Sequence, residues 1–132
     1  MGHFINRATL IGLVLVVSTA TQATATQALA AGNALNGKAA FVRCVMCHKT
    51  ANEAGNALGP NLFGVAGKRA ASVAGFAYSD ALKNSAITWT QDKLAAFITN
   101  PKALVPGNRM AFAGISDYTQ AQDLAAYIAT LK

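Results

Sequence analysis

Two cysteines three residues apart with a histidine directly behind them, Cys44-Val45-Met46-Cys47-His48, constrain this chain more than any other feature. A disulfide between Cys44 and Cys47 would close a very short loop and stabilise little, because closure entropy grows with loop length. The pair is therefore explained by reactivity. Side chains at i and i+3 share one side of a helical turn. Both sulfurs then reach one edge of a planar macrocycle, and the adjoining histidine swings beneath its face. This is the attachment pattern of a c-type haem. A thioredoxin-like pair would open a helix in a βαβ setting, which the rest of the sequence does not supply. Half a zinc site would need a second Cys/His pair, and none follows.

The start of the chain suits that chemistry. Residues 1–7 carry one positive charge, Arg7, and no acid. Residues 8–20 are apolar or small, with a run from Leu13 to Val17, and a Thr/Ala/Gln stretch ends in Ala28-Leu29-Ala30. This order predicts a secretory signal peptide over residues 1–30, cleaved after Ala30. Its apolar centre is shorter than the roughly 20 residues of a spanning helix, so an uncleaved membrane anchor is the weaker reading. Residues 31–132 would then form a single domain in the periplasm. A domain of that size has a modest core, to which a large buried prosthetic group adds apolar contact. Removing Arg7 with the leader leaves ten basic against five acidic side chains. The excess favours an acidic partner surface. No basic run with interleaved aromatics points to nucleic acid.

The pattern of residues 31–132 predicts an all-α fold. A first helix is expected over 36–47, capped by Asn33 or Asn36. Residues 51–74, rich in Gly, Asn and Ala, read as loop. Ser79 to Lys83 predicts a short helix. Thr90 caps another, with Leu94, Phe97 and Ile98 at helical spacing, and Pro101 stops it. Val105-Pro106-Gly107-Asn108 reads as a turn. Asp117 or Thr119 begins a last helix through Leu131, with Leu124, Tyr127, Ile128 and Leu131 on one face. No stretch alternates with period two.

Elimination narrows the ligands of a haem iron. Of the two histidines, His3 lies in the leader, which leaves His48 as the first axial ligand and excludes a second histidine. Met46 lies between the attachment cysteines and cannot reach the opposite haem face. Met110, far along the chain and after a turn, is free to do so, and a thioether raises the potential of a haem. The alternatives are a lysine ligand, an empty sixth position, or Met110 as core filler. With both axial positions held by protein, the site suits one-electron transfer and not substrate chemistry. An enzyme of peroxidase type, with a labile distal ligand, is the rival class, followed by a haem-based sensor.

Further segments recur in order: Gly37 and Phe41, Gly59-Pro60-Asn61-Leu62, Gly75-Phe76-Ala77-Tyr78, Ile87-Thr88-Trp89, Asn100-Pro101-Lys102, Pro106 to Met110, and Phe112-Ala113-Gly114. With them the chain resembles the class I c-type cytochromes, mitochondrial cytochrome c and its periplasmic bacterial relatives. The resemblance implies a small cytochrome c fold, four to five helices wrapped around one covalent haem c. It implies that Met110 is the axial ligand opposite His48, and that the Pro60 carbonyl accepts the Nδ1–H of His48. Tyr78 and Trp89 match residues that hydrogen-bond a haem propionate, and Phe112 matches the aromatic at the exposed haem edge. Arg43, Lys102 and Arg109 match basic positions at the docking front. Four positions depart from the family: Leu82 for asparagine, Phe97 for tyrosine, Asn108 for threonine and Lys68 for arginine. They predict a less polar pocket. The implied function is that of a monomeric electron carrier, not an enzyme. Its partners would be membrane redox complexes, a quinol-oxidising bc complex and a terminal oxidase or photosynthetic reaction centre, with only transient contact at the membrane surface.

Overall fold

The computed structural model describes Met1 and residues 31–132. The expected leader, His3 included, lies almost entirely outside the described residues. Five α-helices follow in order: α1 (Ala34–Ala40), α2 (Asp80–Asn84), α3 (Gln91–Thr99), α4 (Pro101–Leu104) and α5 (Tyr118–Ala129), with a 3-10 turn at Phe41–Arg43 after α1. Among the described residues extended pairing is confined to one antiparallel bridge, Arg69 with Thr88. None of these helices is long and apolar enough to cross a membrane.

Side-chain caps fix most helix starts. Asn33 accepts from the N–H groups of Leu35 and Asn36, Ser79 from Leu82, Thr90 from Lys93 and Asp117 from Thr119 and Gln120. Each satisfies amide donors that have no partner within the helix. The first helix is shorter than its sequence pattern suggests. After Ala40 the chain tightens through the 3-10 turn, then makes one further turn closed by His48 N–H to the Cys44 carbonyl at 2.9 Å. The short helix α4 is an addition. Pro101 stops α3, yet its fixed φ suits the first position of a new helix, and the Asn100 side chain caps that helix through Ala103 N–H.

α5 is the spine of the core. Ala121, Leu124 and Ala125 are fully buried, and both α1 and α3 pack on this helix. Phe41 meets Tyr127 edge-on with ring centroids 5.2 Å apart. The crossing of α1 and α5 depends on Gly37, where a Cβ would run into the Asp123 backbone and the Tyr127 Cβ. Gly32 abuts the backbone of Gln122 and Asp123 in the same way. The Asp123 carboxylate, buried between the two elements, accepts the Asn33 N–H at 2.6 Å.

Gly37→Ala sets two effects against each other. Alanine improves helix propensity by about 1 kcal/mol. Overpacking costs about 1–3 kcal/mol, and backbone atoms cannot rotate away from the new methyl. A net loss of ~1 kcal/mol is expected, read as a lower denaturant midpoint. A midpoint above that of the parent would mean that α1 and α5 can separate freely.

Candidate functional site

The turns that follow α1, the 58–62 loop, the 69–79 segment, α2, α3 and residues 108–112 surround one cavity of about 670 Å³. Cys44, Cys47, His48, Pro60, Tyr78, Trp89 and Met110 all line it. They come from five separate stretches of sequence, so the fold assembles them.

The Cys44–His48 turn presents both thiols, each partly buried, to this cavity. Burial pushes the Cys44 thiol up from its ordinary value, and the neighbouring Cys47 adds to this against the pull of Arg43. His48 Nδ1 lies 2.7 Å from the Pro60 carbonyl oxygen. That contact makes Nδ1 the protonated nitrogen and leaves Nε2 with a lone pair and no partner among the described residues. Burial, opposed by the Pro60 bond, lowers the pKa of His48 and favours the neutral ring. The loop is drawn onto the motif by two backbone bonds, Gly59 N–H to Cys47 and Leu62 N–H to Lys49, both 2.8 Å. Gly59 lies flush on the imidazole, and a Cβ there would overlap the ring.

The far wall is built from longer-range contacts. Trp89 is held by paired backbone bonds to the turn at residues 67–68, Gly67 N–H to Trp89 O at 2.9 Å and Trp89 N–H to Lys68 O at 2.8 Å. Its ring packs on Phe97 at 5.1 Å. Tyr78 packs edge-on against Phe76 at 4.8 Å, and burial raises its phenol pKa, keeping it a donor. Met110 follows a turn in which Gly107 takes φ +85°, and the Arg109 guanidinium reaches across to the Ala77 carbonyl at 2.6 Å. Leu82 and Phe97 present apolar walls, as expected from their departures from the family. Asn108 behaves differently. Its amide is buried and wholly engaged with backbone, and it supports the turn before Met110. In the sequence it stood out only as a turn residue and as a departure from the family, not as a support of Met110.

The donor set fits a haem. Well-packed domains keep few voids larger than a water molecule, whereas a cavity of this size lies in the range of cofactor sites. Its lining is mainly apolar, with two thiols, one neutral imidazole and one thioether as the soft donors. Among the described residues no three His, Cys, Asp or Glu side chains cluster as a metal cage would require.

Residues 34–132 match the family model of cytochrome c. The chain belongs to the cytochrome c family. Relatives agree in detail. Cytochrome c2 of Blastochloris viridis is 46% identical over 99 residues, covering 75% of this chain and 78% of that protein. Cytochrome c-550 of Nitrobacter winogradskyi is 44% identical over 97 residues, covering 74% and 89%. Among solved structures, cytochrome cH from Methylobacterium extorquens superposes with a TM-score of 0.70 at 43% identity, covering 75% of this chain and 99% of that one. This cytochrome therefore carries one covalently bound haem c. At the level of the family it is an electron carrier and not an enzyme.

Proposed function

We propose that this cytochrome is a monomeric periplasmic carrier that shuttles single electrons between membrane redox complexes. Its leader is cleaved after Ala30, and its haem is joined through Cys44 and Cys47, with His48 and Met110 as axial ligands. The observation that carries this reading is that His48 and Met110, distant in sequence, line the same apolar cavity as the two thiols.

Each residue has a physical task. Pro60 orients the His48 ring and fixes its tautomer, so Nε2 is the ligating atom. Met110 contributes a neutral, soft donor, which favours the reduced state. Tyr78 and Trp89 supply an O–H and an indole N–H on the wall where a haem propionate would need donors. The apolar lining excludes water and raises the cost of an added positive charge. A haem so held supplies a one-electron couple. With His48 and Met110 both holding its iron, the group would have no position left for a substrate.

Partners are a quinol-oxidising bc complex on one side and a terminal oxidase or photosynthetic reaction centre on the other. Arg43 and Arg109 stand exposed at the cavity rim and Lys102 is exposed on α4, which suits docking to an acidic surface. The test begins with protein from the periplasmic fraction. Its mass should show loss of about 30 residues and gain of one haem. Its reduction by quinol-oxidising membranes should slow as salt shortens the Debye length to about 10 Å at 0.1 M. Retention of the 8–20 segment would mean an anchored cytochrome, and a rate flat with ionic strength would mean an apolar docking contact.

A further inference from the structure

Two polar side chains are buried among the described residues, Asp123 and Asn108. Asp123 joins the start of α1 to α5. Asn108, only 4% exposed, stands two residues before Met110. Its Nδ2 donates to the carbonyls of Pro101 and Val105, both at 2.8 Å. Its Oδ1 accepts the backbone N–H of Met110 at 3.0 Å. Both amide hydrogens and the amide oxygen are thus in use. The three bonds tie the first residue of α4 and the residue after its end to the Met110 backbone across the turn at Gly107.

We propose that Asn108 is a positioning residue that holds Met110 in its ligating place and keeps the axial position it fills closed to outside ligands. The inference rests on ligation by Met110. A backbone bond from Asn108 N–H to Val105 O at 3.1 Å also closes the turn but does not reach Met110. The other side-chain tie, Arg109 to Ala77, is at the exposed surface, where a hydrogen bond contributes less than one whose loss strands a buried partner. Asn108→Ala removes all three bonds while leaving the thioether itself in the chain. The segment then spends more time with Met110 withdrawn.

An outside ligand reads that withdrawn fraction directly, because its apparent dissociation constant is the intrinsic one divided by the fraction of competent protein. The probe is imidazole, titrated into the ferric holoprotein and followed by loss of the red-end band that reports Fe–S(Met) bonding. Asn108→Ala should bind imidazole about tenfold more tightly than the parent. Asn108→Thr, with a single hydroxyl donor, should fall between them and serves where the alanine variant accumulates poorly. Asn33→Ala removes the α1 cap and is the control for general loss of stability; it should bind imidazole as the parent does. A parent with the band whose Asn108 variants keep the parent's imidazole affinity overturns the inference alone. So does an Asn33→Ala shift as large as that of Asn108→Ala. A parent without the band overturns the ligation reading, and the inference with it.

Discussion

Replacing Cys44 and Cys47 together by alanine should leave little folded protein. The core of this domain is arranged around a cavity of about 670 Å³. At ~24 cal/mol per Å³ of enclosed apolar void, the upper bound for leaving it empty is ~16 kcal/mol, reached only if no water enters from its open side. Whole domains are stable by only about 5–15 kcal/mol, so even a third of that cost is severe. Partial collapse would relieve some of it, although α5 already packs against both α1 and α3. Without thioether bonds the haem is retained only by its ligands and is lost to dilution. Far-UV circular dichroism of the double variant should show most helicity gone. Native helicity without haem would mean that the cavity is not the centre of the fold.

The second large effect is expected at Met110. As packing alone, Met110→Leu conserves volume and costs less than about 1.5 kcal/mol, so the protein should still fold. As ligation, the same change removes the only thioether that lines the cavity among the described residues. The ferric iron should become high-spin or take water or a lysine, and the potential should fall sharply. Peroxidase activity should rise as the position opens. Met46→Leu is the matched control, because Met46 is exposed at 81% and lies between the attachment cysteines. If both variants keep the Fe–S band, Met110 is not the ligand.

What could be read in advance follows from how local each signal is. The Cys44–His48 pattern is contained in one turn, so its chemistry is written in five consecutive residues. The α5 face of Leu124 and Ile128 was legible because helical spacing alone sets it, and Thr90 was legible as a cap because capping acts over three residues. Asn100 and Pro101 show the limit. A proline after a helix signals a stop, and the same two residues also start α4, which only the course of the chain decides. Gly59 and Gly37 were legible only through the family resemblance, since each matters for what approaches it from elsewhere in the fold. The 51–74 loop has no periodicity, yet it is tied down by asparagines. Asn56 donates to Ala74 at 3.0 Å and accepts from Asn61 N–H at 3.0 Å, and Asn61 donates to Ala51 at 2.9 Å. Asn108 was missed for the same reason: its three partners are backbone atoms brought together by a turn.

The most direct test of the central claim is an optical redox titration of the purified holoprotein. With His48 and Met110 closing both axial positions, the titration should show a single one-electron transition at positive potential. The haem should be low-spin in both states, with the Fe–S band present only when oxidised. A high-spin ferric spectrum that shifts on adding peroxide would contradict the account, because it would mean an open axial position and a catalyst in place of a carrier.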